Sequence, residues 1–147
     1  MLEKEPKRIG DMLNQFYNLE LRINDLITIF FKPEKKKEFF NIMLNTAVTS
    51  YGAKVKILPN LLEIDKRIIS DLHELGRIRN GVAHVAPHLV LILKEGKGKM
   101  NSLTTKLEIM QSNGKIVKKD FWELSDRFNE LLDIVVPVIS GHTKALE

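Results

Sequence analysis

Apolar residues recur at positions 9, 12, 16, 19, 23, 26, 27 and 30 across residues 8–31. An α-helix turns once in about 3.6 residues, so this spacing draws a single apolar stripe along one long helix. The chain must therefore supply further elements to cover that stripe, and the rest of the sequence reads mostly as helix. "KPEK" breaks the first helix, and Pro33 suits the first position of a second, over residues 34–50. Phe39, Phe40, Ile42, Met43, Leu44 and Val48 would form its buried side, with Gly52 punctuating it. "AKVKILPNLL" predicts a short helix ended near Pro59. "IDKRIISDLHELGRIRN" predicts another, with Asp65 as its N-cap and Ile68, Ile69, Leu72 and Leu75 turned inward.

After Pro87 the apolar period falls from about 3.6 to 2. "HLVLILK" and "TKLEIMQ" read as strands, and the Asn-Gly of "QSNGKIV" suits a type I′ hairpin turn. Asp120 would cap a last helix with Phe121, Leu124, Phe128, Leu131, Leu132 and Val135 along its stripe, bent or ended by Pro137. Trp122 and the phenylalanines read as core. The expected fold is mainly α: a bundle of four to five helices with a small antiparallel β-hairpin or three-strand meander before the last helix. It forms one domain over residues 1–147, with residues 88–119 as a basic hairpin insertion and 140–147 as a flexible tail.

Composition narrows the function classes. With 44% apolar and 29% charged residues the chain is ordinary globular material, and no uncharged apolar run is long enough to span a bilayer. The charged start has no apolar signal core, and there is no cysteine, which together suit a cytoplasmic protein without disulfides or thiolate metal sites. No His, Asp and Glu grouping has metal-ligand spacing and no glycine-rich phosphate loop is present, so neither metal nor cofactor is expected. Residues 88–119 hold seven lysines against Glu95 and Glu108, a local charge of +5 within a chain of net charge +4. Such a face attracts a polyanion such as RNA, with Lys94, Lys97, Lys99 and Lys115 as candidate contacts. Lysines that merely keep a hairpin edge solvated would look the same.

The densest group of reactive side chains lies in "ELGRIRNGVAHVAP", residues 74–87. Asn80 and His84 are four apart and share a helix face, whereas Arg79 and His84 stand about 140° apart on an ideal helix. Gly81 between them suggests a loosened last turn. An arginine fork grips phosphate, an imidazole moves protons near neutrality, and an asparagine can orient either. Together they suit metal-independent RNA cleavage by the ribose 2′-OH. A histidine at a helix end that only meets exposed carbonyls is the plainer reading of the same residues.

The segment "RIRNGVAH" resembles the signature of the HEPN superfamily, an Arg followed by a polar residue and, four to six positions on, a His. Arg79, Asn80 and His84 match it, and "LNTAVTSYGAKVKILPNLL" has a similar look. The resemblance covers roughly residues 8–87 and the last helix, leaving the hairpin outside. It implies a helical homodimer whose motifs meet in a shared cleft and act as a toxin–antitoxin or phage-defence endoribonuclease, with an antitoxin protein as a further partner. It also implies a polar residue on the first helix directed at the motif, and Glu20, in an otherwise apolar stripe, is the candidate. Ala86 stands where some such toxins carry an adenylylated Tyr, so that control is not expected. Other members are non-catalytic binding or regulatory modules, and mannitol-repressor-like proteins share the helical look.

Overall fold

The computed structural model describes residues 4–94 and 106–147, with residues 85–94 described by backbone alone. The protein is mainly helical, with a two-stranded antiparallel hairpin before the last helix. The elements are α1 (Lys4–Phe31), α2 (Lys36–Glu38), a π-helical turn (Phe39–Met43), α3 (Tyr51–Leu61), α4 (Lys66–Lys94), β1 (Lys106–Met110), β2 (Ile116–Asp120) and α5 (Phe121–Leu146). They fall into two compact units. The first comprises residues 1–16 and 77–130, the second residues 17–76 and 131–147.

In the first unit the start of α1 buries Ile9, Met12 and Phe16, and the later part of α4 buries Ile78 and Val82. The hairpin adds Leu107 and Ile109, and α5 adds Phe121, Leu124 and Phe128. Arg8 ties α1 to α5: its Nε donates to Ser125 Oγ at 2.7 Å and its Nη2 to Asn129 Oδ1 at 2.6 Å. Asp120 caps α5 as its residue type predicts, its Oδ2 accepting from the N–H groups of Trp122 and Glu123 at 3.0 and 3.2 Å. Trp122 departs from expectation. It lies on the exposed side of α5, its ring edge-on to Phe121 with centroids 5.0 Å apart.

The hairpin pairs Met110 with Ile116 and Lys106 with Asp120 at its two ends. Its turn is not the predicted type I′, which needs left-handed backbone at both Asn113 and Gly114. Only Gly114 has it, at φ +82°. The Gly114 N–H donates to the Gln111 carbonyl and the Gln111 N–H to that of Lys115, a three-residue loop closed by a glycine bulge. Asn113 serves instead through its side chain, whose Oδ1 accepts from the Lys115 N–H at 3.0 Å.

The second unit buries Leu19, Ile23, Leu26 and Ile27 of α1, Val55 and Leu58 of α3, Ile68, Leu72 and Leu75 of α4, and Leu131, Val135 and Ile139 of α5. Asp65 caps α4 through the Arg67 N–H at 2.8 Å, and Ser50 caps α3 through that of Ala53 at 3.2 Å. Several expectations need correction. Pro33 lies in the link between helices, behind Lys32, whose left-handed backbone at φ +47° closes α1. The predicted helix over 34–50 is a short α2 and a π-helical turn, and only Leu44 of its apolar set is buried. Ile42, Met43 and Val48 are 58%, 53% and 63% exposed. Gly52 falls in the first turn of α3, while that helix ends at Leu61, near Pro59 as expected. α5 runs through Pro137 to Leu146, so the segment 140–147 expected as a tail is helical nearly to its end.

The largest correction concerns residues 88–94. They continue α4 rather than forming a strand, so the expected insertion over 88–119 contributes only the β1–β2 hairpin, among the described residues. Five apolar residues in succession, 89–93, carry no usable period, and such a run fits a helix as well as a strand.

Candidate functional site

On α4, residues 77, 80, 81 and 84 occupy neighbouring angular positions: at about 100° per residue, Arg77 and His84 differ by about 20°. Arg77, Asn80, Gly81 and His84 form one wall of a cleft of about 410 Å³ in the first unit. The hairpin forms the other wall with Glu108, Met110, Gln111 and Ile116. Gly81 allows the two walls to meet. A Cβ there would strike Cδ1 of Ile109 and lie 3.2 Å from the Glu108 carbonyl oxygen. The glycine therefore does not loosen the helix, as its position suggests in sequence; it admits β1 against an unbroken α4.

Asn80 and His84 line the cleft together, as their i, i+4 spacing predicts. Arg79 does not line it. Its guanidinium carbon stands 5.8 Å from the centre of the Phe16 ring, and its Nη1 donates to Asn80 Oδ1 at 3.2 Å. It thus touches the site through Asn80 and is held by a cation–π contact with α1. Glu20 lies in the second unit, where it is buried and the Thr46 hydroxyl, 2.9 and 2.8 Å from its two carboxylate oxygens, donates its one proton to the carboxylate. Lys115 is exposed in the hairpin turn, as are Lys106, Lys118 and Lys119 on the strands. Lys94 ends α4, described by backbone alone, while Lys97 and Lys99 lie outside the described residues.

Two residues of the cleft, Arg77 and Glu108, were not among the candidates drawn from the sequence. Arg77 is half-buried and Glu108 exposed, and, with His84, neither enters a hydrogen bond or ion pair among the described residues. Arg77 was detectable from its spacing, three before Asn80 and seven before His84. Glu108 was not, because only the hairpin's fold-back brings it to α4. The cleft is thus lined by an arginine, a histidine, a glutamate, an asparagine and a glutamine beside the apolar pair Met110 and Ile116, 58% and 60% exposed. That mixture of a few convergent polar groups on an apolar floor is typical of a small-ligand or nucleotide-sized site.

A second buried polar group belongs to the other unit. Lys54 is fully buried, and its Nζ has no hydrogen-bond partner among the described residues. Burial pushes its amine below the ordinary lysine range, with the Glu20 charge partly offsetting that. Tyr51, whose hydroxyl donates to the Leu72 carbonyl at 2.6 Å, is pushed well above the ordinary phenol range by burial first and the Glu20 charge second.

Among the described residues, no group of three or more His, Asp or Glu could hold a metal ion, and no helix is long and apolar enough to cross a membrane. The chain matches no protein-family model, no curated protein and no solved structure.

Proposed function

We propose that the protein is a metal-independent endoribonuclease of the toxin–antitoxin or phage-defence kind, cleaving RNA by attack of a ribose 2′-OH on the adjacent phosphorus. The observation that carries the reading is the α4–hairpin cleft, where His84 and Asn80 stand together without a protein partner for the imidazole among the described residues. The resemblance of "RIRNGVAH" to the HEPN signature adds the reaction class. His84 transfers a proton, Asn80 holds geometry, and Arg79 steadies Asn80 from the Phe16 side. Exposed lysines of the hairpin draw the RNA backbone towards the cleft. The second proton-handling group comes either from another copy, in the homodimer that the resemblance implies, or from the same cleft. An antitoxin protein would cover the cleft.

The test is incubation of purified protein with mixed RNA in EDTA, beside His84→Ala. Cleavage by wild type, and its loss in a variant with an unchanged circular dichroism spectrum and melting temperature, is the expected result. Equal cleavage by both proteins removes His84 from the chemistry.

A non-catalytic binding or regulatory module, of the mannitol-repressor-like kind, is the second reading. The exposed Ile42, Met43 and Val48 favour it, because three large apolar side chains left in solvent within one short segment suit an interaction surface. An intact wild type that leaves every RNA uncut, with or without added metal, makes this the better reading.

A further inference from the structure

Cleavage through the 2′-OH needs two proton transfers, one from the attacking oxygen and one to the departing 5′ oxygen. A single histidine does not conveniently serve both in one step. From the cleft lined by Arg77, His84 and Glu108, we infer that one protomer carries a complete acid–base site: Glu108 is the general base, His84 the general acid, and Arg77 the cation that binds the phosphoryl oxygens. This inference rests on the ribonuclease reading and deepens it.

The division of roles follows from ordinary side-chain chemistry. A carboxyl group is ionised at neutral pH and accepts a proton more readily than it gives one, while an imidazole populates both forms there. The two groups come from opposite walls of the cleft, Glu108 from β1 and His84 from α4. In-line displacement asks for that, since base and acid act on opposite sides of the phosphorus. Arg77 shares the His84 wall and forms no ion pair among the described residues, so its planar fork can turn to phosphate. Arg79 is occupied by Asn80 and Phe16. Lys118 is directly opposite Glu108 in the hairpin, yet the two form no ion pair. Among the described residues, Arg77 and His84 from α4 and Lys118 from β2 are thus the charged or titratable groups around Glu108, with Lys106 two residues back on its own strand.

The step balances within the protein. The 2′ oxygen gives its proton to the Glu108 carboxylate and bonds to phosphorus. The bond from phosphorus to the 5′ oxygen breaks, and that oxygen takes the proton of the His84 imidazolium. The products are a 2′,3′-cyclic phosphate and a 5′-hydroxyl, and exchange with water resets both side chains. The apolar Met110–Ile116 pair offers a surface for a flanking base.

The test compares full-length wild type, Glu108→Gln, Glu108→Asp, Arg77→Ala and Arg77→Lys on one RNA, measuring kcat and KM across pH. Glu108→Gln should lower kcat about 10²- to 10³-fold with KM little changed, and should remove the acidic limb of the pH profile. Glu108→Asp should restore part of the rate together with that limb. Arg77→Ala should lower kcat/KM, and Arg77→Lys should recover only part of it.

A complementation assay mixes Glu108→Gln with His84→Ala. A site complete in one protomer gains nothing from mixing, whereas a site shared between copies regains activity. An active wild type with Glu108→Gln within twofold of it, or with activity restored on mixing, overturns the single-protomer assignment and leaves the ribonuclease reading standing. A wild type that cuts no RNA overturns both.

Discussion

At the scale of single residues, the closest constraint on the site is Gly81. Alanine there would gain about 1 kcal/mol of helix propensity, but its methyl would press on Ile109 and approach the Glu108 carbonyl. Overpacking of this kind costs about 1–3 kcal/mol, so Gly81→Ala should be destabilised in urea unfolding. Adding Ile109→Val, which deletes the clashing Cδ1, should return a substantial part of the loss; no return would mean that the hairpin does not pack on α4 there. In the second unit, Lys54 and Tyr51 set opposite pH slopes. The Lys54 amine is held below its ordinary 10.5, so the unfolded chain binds more protons between the lowered value and 10.5, and stability rises with pH across that window. Tyr51 is held above its ordinary 10.0, so its contribution is complete below 10.0 and lost as pH climbs beyond it. Unfolding free energy should therefore climb with pH as it approaches 10.0 from below. Lys54→Met should flatten that climb, and Tyr51→Phe should soften the fall above pH 10.0. A climb that persists in Lys54→Met would place its origin elsewhere.

At the scale of elements, the hairpin and its junction with α5 decide where Glu108 and Ile109 lie. Asp120 is both the last residue of β2 and the cap of α5. Replacing it with alanine should cost about 1 kcal/mol in thermal or urea unfolding. A variant as stable as wild type would mean that those two hydrogen bonds contribute nothing in water. Sequence pattern read these elements unevenly. The stripe at 9–27 and the caps Asp65 and Asp120 were legible because helical period and capping chemistry are local. Residues 34–50 misled because Phe39, Ile42, Met43 and Val48 are apolar at nearly helical spacing, yet Ile42, Met43 and Val48 face outward. Residues 88–94 misled because an unbroken apolar run carries no phase. The Asn113–Gly114 dipeptide predicted a hairpin correctly and its turn type wrongly, since the same pair also closes a three-residue loop.

At the scale of the whole molecule, the question is what chemistry the α4–hairpin cleft performs. The shared face of Asn80 and His84 was visible in the chain, because i, i+4 spacing survives in any helix. The displacement of Arg79 to Phe16 and the arrival of Glu108 were not, since both depend on contacts between residues far apart in sequence. The proposed reaction has one chemical requirement that no other feature of the substrate can replace, the 2′-hydroxyl beside the scissile phosphate. The most direct measurement therefore uses a mapped RNA oligonucleotide and its twin carrying a single 2′-deoxy nucleotide at the cleavage position, both in EDTA. The account predicts that the all-ribose strand is cut to 2′,3′-cyclic phosphate and 5′-hydroxyl ends while the twin stays whole at that position. Equal cleavage of the two strands would contradict it.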